Sequence, residues 1–302
     1  MNGQTSRKVR AQAATRKGDR GPRCREIVAA AARGSANGFT LVELLVVIAI
    51  ITLLVSILVP TVAMAIELAR RAKCAANLNA ISKAMAMYNH DQGSYPYVPL
   101  NGAGWGVKIG TGRRVDPRDG ASQSRSATAN LYLLVRGYYC PAEAFVCPSG
   151  MESPDRTDTD ESWDFPDGTA VSYSLMNPYG EERYFRDSPL PVVLLADGSP
   201  YFDDGTGLRN NRPVVDLGGD PDEETVRQGN SRNHARSGQN VATTGGSTRF
   251  EKRADIGVSG DNIYTRSSAG ETDAGGTIPA PGADGSASDQ GPAGEKDTYL
   301  IP

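Results

Sequence analysis

The sequence predicts an α+β protein: a long N-terminal helix, half transmembrane and half amphipathic, packed on a small antiparallel sheet, with a loop-rich C-terminal region. Three observations carry this. Residues Phe39–Val59 form an apolar run of 21 residues. A helical stripe of apolar residues continues beyond it. After residue 92, short strand-like pieces alternate with Gly, Pro, Asp and Ser.

The apolar run spans about 32 Å as a helix, close to the hydrocarbon thickness of a bilayer. Its flanks set the orientation. Residues 1–38 carry Arg7, Lys8, Arg10, Arg16, Lys17, Arg20, Arg23, Arg25 and Arg33 against Asp19 and Glu26. This basic excess places the N-terminus in the cytoplasm and the C-terminal body outside the inner membrane. The whole-chain charge of −3 conceals the split, because the part after residue 38 has 23 Lys/Arg, 33 Asp/Glu and a net charge of −10. A basic leader on an acidic exported body argues against a nucleic-acid partner. An ordinary secretory signal has a shorter apolar core, followed by a small-residue cleavage site. Here the small residue placed for a cut is Gly38, before the core.

Glu43 lies on the fifth residue of the run. A carboxylate in a membrane helix costs about 2.5–3.5 kcal/mol at the helix centre and less near an end, so Glu43 needs either a partner or the interface. Pro60 removes one helical hydrogen bond and marks the end of the lipid-facing segment. Beyond it, Val62, Ile66 and Ala69, then Cys74, Leu78, Ile81, Met85 and Tyr88, recur at intervals of three and four. This is one stripe of an amphipathic helix ending near His90, with Asp91-Gln92-Gly93 as terminator. The expected organisation is leader 1–38, membrane and assembly helix 39–60, amphipathic continuation 61–91, α+β body 92–266, and a Gly/Ala/Pro-rich tail 267–302. Candidate strands are Phe145–Cys147, Ala170–Leu175, Pro191–Leu195, Asn240–Ala242, Thr248–Lys252 and Asn262–Thr265, with a short helix at Leu131–Val135.

Little in the chain suggests chemistry. No Ser/His/Asp constellation, phosphate loop or metalloprotease helix is present, so the chain is not expected to be an enzyme. Three cysteines, Cys74, Cys140 and Cys147, lie in the exported part. Cys140 and Cys147 enclose a six-residue loop, and either a disulfide or a pair of buried thiols fits that spacing. A zinc site is not expected, since the only histidines, His90 and His234, are remote from this pair in sequence. His90 reads as a surface or cap residue and His234 as a turn residue. No cofactor is called for. The acidic clusters Asp158, Asp160 and Glu161, Asp203 and Asp204, and Asp216, Asp220 and Asp222 read first as solvated loops; their oxygen donors at short spacing would also suit calcium, although none matches a defined calcium loop.

Gly38–Pro60 (GFTLVELLVVIAIITLLVSILVP) resembles the class III, or prepilin, signal of type IV pilins and type II secretion pseudopilins. The resemblance implies cleavage between Gly38 and Phe39 by prepilin peptidase, removal of residues 1–38 and N-methylation of Phe39. It also implies a contact of Glu43 with the freed Phe39 amine, on the same or a neighbouring subunit, and local unwinding at Pro60 on assembly. Arg70–Pro96 and Asn130–Ser149 are similar to pseudopilin G-related, planctomycete-type pilin-like families. Many of these carry a late His-x9-Asp-Gly motif. Here His234 and Gly245 fit it, but Thr244 stands in place of the aspartate. The resemblance implies a filament subunit whose partners are the peptidase, other pilin or pseudopilin subunits, an assembly platform and inner-membrane lipid. The rival expectation is a signal-anchored periplasmic receptor that does not polymerise.

Overall fold

The computed structural model describes residues 38–99, 105–106, 108–119, 125–156, 159–179, 191–202, 212–267, 298 and 300–301. The chain divides into two compact units, with the boundary between Leu58 and Val59, beside Pro60. Each unit is described by itself.

Helix α1, Leu41–Gln92, has 52 residues, the length expected from the sequence, displaced by two positions at each end. Its start has a local cause. Thr40 is the N-cap, and Glu43 reaches back to accept from the Thr40 N–H at 2.8 Å and from the Thr40 hydroxyl at 2.7 Å. The Glu43 N–H in turn donates to Thr40 Oγ1 at 3.2 Å. This is a capping box, which satisfies otherwise orphaned donors at the helix start. The helix ends where Gly93 takes a φ of +74° and returns its N–H to Asn89 O at 2.9 Å; glycine enters that left-handed region without a Cβ penalty.

In the first unit α1 is apolar all round, with a mean hydropathy of 3.0 over its most apolar 18 residues, none of them buried. In the second unit, one face of α1 enters the core through Cys74, Leu78, Ile81, Ala84 and Met85, all buried. The stripe expected from Val62 onward is therefore corrected. Val62 and Ile66 are 44% and 49% exposed, and burial starts only at Cys74. Periodicity identifies a face but not the point at which the body begins to cover it. Leu78→Ala is expected to cost about 3 kcal/mol, because it leaves a cavity in a closed core. Val62→Ala in the isolated chain is expected to cost under about 0.5 kcal/mol. Thermal unfolding of the two variants in detergent checks the contrast.

The body is built on a five-stranded antiparallel sheet. Two short strands, β1 (Trp105–Gly106) and β2 (Arg125–Ser126), pair parallel outside it. The sheet contains β3 (Tyr173–Met176), β4 (Val193–Asp197), β5 (Gln239–Thr243), β6 (Thr248–Glu251) and β7 (Leu300–Ile301), in the order β6-β5-β4-β3-β7. Every residue of β3, β4 and β5 is buried, so both faces of the central strands are covered. The irregular register at Val193/Leu195 is a bulge that re-aims the end of β4. Helix α2, Thr128–Arg136, and the two-turn helix α3, Glu223–Gly229, are the other α-helices among the described residues.

Four strand expectations land on β3 to β6, shifted by one to three residues. Two fail. Phe145 closes a 3-10 turn, Ala142–Phe145, after Pro141. The following residues make isolated bonds to Ser172, Ser172 N–H to Phe145 O and Cys147 N–H to Ser172 Oγ, and no ladder. Asn262–Thr265 is a turn closed by Thr265 N–H to Asn262 O, although Ile263 O accepts from Leu300 N–H at 2.8 Å. The tail boundary is also corrected. Leu300 and Ile301 are a buried edge strand beside β3, while residues 268–297 lie outside the described residues.

Candidate functional site

Two places in the chain concentrate function-bearing residues. The first is the N-terminal end of α1. Gly38 and Phe39 precede the helix as exposed, non-helical residues. Every large apolar side chain from Phe39 to Leu68 is between 44% and 78% exposed. A band of this size has no place in water and marks a surface made for lipid or for other helices. The capping box fixes the Glu43 carboxylate one turn from Phe39.

The second lies wholly within the body. Helix α1 supplies Cys74, the turn before Ser149 supplies Cys147, the end of β4 supplies Asp197, and a turn before β5 supplies His234. Their four ligand atoms lie within 4.8 Å of one another, and all four residues are buried. Cys74 Sγ donates to Asp197 Oδ1 at 2.8 Å. His234 Nε2 is 3.6 Å from Cys147 Sγ and 3.5 Å from Asp197 Oδ2. On the other side of the ring, Nδ1 lies 2.7 Å from Glu67 Oε1 and 3.0 Å from Ser149 Oγ. Asp197 Oδ2 also accepts from the Asn240 backbone N–H at 2.6 Å.

The backbone bends sharply to present the imidazole. His234, Ala235 and Arg236 have φ of 53°, 54° and 59°, three successive left-handed residues without a glycine among them. Each costs about 1–2 kcal/mol, so the surrounding contacts must hold them there. Asn233 donates to Ser172 O, Ser237 Oγ donates to His234 O, and the Phe250 ring stands edge-on to His234 at 6.1 Å between centroids.

The electrostatics are those of tightly coupled buried groups. Burial drives the Cys74 thiol up, with Cys147 and Asp197 adding to the rise. The bond from Cys74 pulls Cys147 down. Burial raises Asp197, against the pull of His234 and Cys74. Burial would lower His234, but Cys147, Asp197 and Glu67 outweigh it and push the imidazole up to about 9. Cys74, Cys147, Asp197 and His234 are closed off by packing, while Glu67 and Ser149 on the far side of the imidazole are only partly covered.

Of the two alternatives open for Cys140 and Cys147, the structure has the pair of buried thiols. The Cys140 backbone N–H bonds Leu134 O behind α2, while the Cys147 side chain turns toward Cys74 and His234. The histidine argument against a thiolate–imidazole cluster is overturned for the same reason, since a separation of 87 residues in sequence is 3.6 Å in space. His90 is exposed at the end of α1 beside Asp91, as expected.

The acidic candidates are placed differently. Asp160 and Glu161 are exposed on a 3-10 turn, Thr159–Glu161. Asp216 accepts from Gly218 N–H, Asp222 caps α3 through Thr225 N–H, and Asp220 is exposed. Asp158, Asp203 and Asp204 lie outside the described residues. Among the described residues, the one grouping of three or more such ligands is the buried tetrad.

Comparison with known proteins bears on the first place. The family described as the prokaryotic N-terminal methylation motif matches residues 33–59. The type IV wide pilus major component PilA4 of Thermus thermophilus is 35% identical over 104 residues, covering 34% of this chain and 75% of that protein. The chain belongs to the type IV pilin-like proteins. No solved structure matches it.

In this pilin-like chain the long apolar helix and the methylation motif fit a membrane-anchored subunit, and the long helix on a small antiparallel sheet is the pilin arrangement. Two features of the pilin-like chain escaped the sequence reading. The capping box was legible, since Thr40-x-x-Glu43 before an apolar run is its signature. The tetrad was not, because Asp197 ends a plain apolar strand and carries no local signal. Thr244, where the family aspartate is expected, instead holds the edge of β5, its hydroxyl accepting from Val192 N–H. The carboxylates facing His234 come from α1, Glu67 at Nδ1, and from β4, Asp197 at Nε2.

Proposed function

We propose that this pilin-like protein is a structural subunit of a helical filament, processed between Gly38 and Phe39 by prepilin peptidase and assembled through α1, with no catalytic step of its own. The observation that carries the reading is the apolar, wholly exposed N-terminal half of α1, which begins at Leu41, just past Gly38 and Phe39, and has Glu43 on its first turn. Before assembly, lipid solvates that surface. In the filament, equivalent helices of neighbouring subunits replace lipid, and an identical contact repeated without closure produces a fibre. The leader would lie in the cytoplasm and the body on the outer face of the inner membrane or in an extracellular filament. The similarity to a wide pilus component favours a type IV pilus-like filament over a type II secretion pseudopilus. The assembly platform of that machine and its other subunits are the partners.

N-terminal analysis and intact mass of the protein from its host membranes test the processing step. A chain beginning with N-methyl-Phe39 is the expected result. A chain that retains residues 1–38 in the presence of the peptidase would leave a signal-anchored protein, and the receptor reading would replace the filament.

A further inference from the structure

We infer that Cys74, Cys147, Asp197 and His234 form a structural zinc site that staples α1 to the sheet. Two thiol sulfurs, one imidazole nitrogen and one carboxylate oxygen converge from four separate segments. This is a donor set for a borderline-soft, four-coordinate cation rather than for calcium or magnesium, which take oxygen ligands.

The spacing fits. A tetrahedral zinc with metal–ligand lengths of about 2.0–2.3 Å has ligand–ligand edges of about 3.3–3.8 Å. The His234 Nε2 edges to Cys147 Sγ and Asp197 Oδ2 measure 3.6 and 3.5 Å. Cys74 Sγ donates to the other oxygen of the same carboxylate, Oδ1, at 2.8 Å. Zinc binding displaces such a proton, and the carboxylate then presents a single oxygen to an ion whose four ligand atoms already lie within 4.8 Å of one another.

A second, independent observation is the support around the histidine. Glu67 and Ser149 hold Nδ1 at 2.7 and 3.0 Å, which leaves Nε2 facing Cys147 Sγ and Asp197 Oδ2, with the Asn240 side-chain nitrogen beside it at 3.1 Å, a contact that a bound ion would displace. A carboxylate on the far nitrogen of a ligating histidine orients the ring and raises its basicity. Asp197 is positioned in the same way by Asn240 N–H and Asn233 Nδ2. The left-handed turn at His234–Arg236 is the backbone strain needed to bring that nitrogen into the group. Glu67 and Arg71 are each about one-quarter exposed and form the solvent side of the cluster, a short path for an ion.

The physical consequence concerns the body. The tetrad ties α1 to β4, to the turn before β5 and to the loop at Cys147, so a bound ion resists separation of the helix from the sheet. The inference does not depend on whether the chain enters a filament.

The test uses the full chain, purified in detergent from membranes of its host, with zinc and cobalt as probes. The expected result is about one zinc per chain surviving gel filtration. Cobalt exchanged for it should give a tetrahedral visible spectrum with sulfur-to-cobalt charge transfer. Cys147→Ser and His234→Gln should lose the metal. Cys140→Ser, a buried thiol outside the group, should keep it. Glu67→Gln should bind about 10–100-fold more weakly, as expected of a positioning residue. Because the cobalt spectrum of the unaltered chain needs no variant, poor folding of a variant does not blunt the test. The proposal is overturned by a Cys74–Cys147 disulfide in the host protein, by a cobalt spectrum without thiolate bands, or by metal content unchanged in folded Cys147→Ser.

Discussion

Chains carrying Glu43→Gln are expected to be cut and methylated normally but to be depleted from filaments about a hundredfold. The structure gives Glu43 two separable tasks. Locally it closes the capping box with Thr40. Glutamine can close the same box, because its side-chain oxygen also accepts from the N-cap N–H. What glutamine lacks is the charge that would meet the Phe39 amine of a neighbouring subunit. In a helix packed in lipid or in a filament core, an unpaired charge costs about 2.5–3.5 kcal/mol, equivalent to roughly two orders of magnitude in subunit incorporation. Glu43→Ala removes both roles and should behave at least as badly. Quantifying each variant in sheared filaments against total membrane protein decides between them. Normal incorporation of the glutamine variant would mean that capping is all Glu43 does, and the charge-pair basis of assembly would be abandoned.

Asp164→Ala is expected to destabilise the body by about 3 kcal/mol or more, lowering its melting temperature by roughly 6–12 °C. Asp164 is buried and accepts from Ser126 Oγ at 2.6 Å, Thr128 Oγ1 at 2.8 Å, Gly110 N–H at 3.0 Å and Phe165 N–H at 2.8 Å. It joins the segment around Gly110, the entry to α2 and the loop of 162–168. The two hydroxyls already touch each other at 2.6 Å and can re-pair, but the two backbone donors would be left without an acceptor. Circular dichroism melts of the full chain in detergent measure the effect. A loss below about 1 kcal/mol would show that water or relaxation replaces the carboxylate.

The same residue has a pH signature. Burial outweighs the four donors and pushes the Asp164 carboxyl up to about 6, above its ordinary 3.8. The folded state therefore holds the proton more tightly than the unfolded chain. The stability this contributes is fully present below pH 3.8 and is lost as the pH rises through about 6. Relative to Asp164→Asn, which cannot titrate, the native chain should lose stability across that window. A pH-independent difference between the two would contradict the assignment.

Particular residues show how far the sequence could be read. Helix α1 was legible to within two residues at each end, because its determinants are local: an apolar run of membrane length and Gly93 at the terminus, with the unread Thr40–Glu43 box fixing the exact start. The central strands were legible as short apolar pieces between breakers, within one to three residues. Phe145–Cys147 misled because strand-like composition does not guarantee a neighbouring strand, and Ser172 offers only isolated bonds. Leu300–Ile301 was missed because two residues at the end of a Gly-rich segment have no period to read, and only pairing with β3 makes them a strand.

The sequence by itself therefore determined the membrane-length helix, the N-terminal methylation motif and the acidity of the part after residue 38, all of which rest on contiguous composition and spacing. Only the tertiary structure decided which cysteines face each other, where α1 becomes buried, and that Asp197 rather than Thr244 answers His234. Those outcomes depend on bringing together groups far apart in sequence, such as Cys147 and His234, separated by 87 residues, and Cys74 and Asp197, separated by 123. Such meetings follow from how the helix and the sheet pack, and no local pattern encodes them.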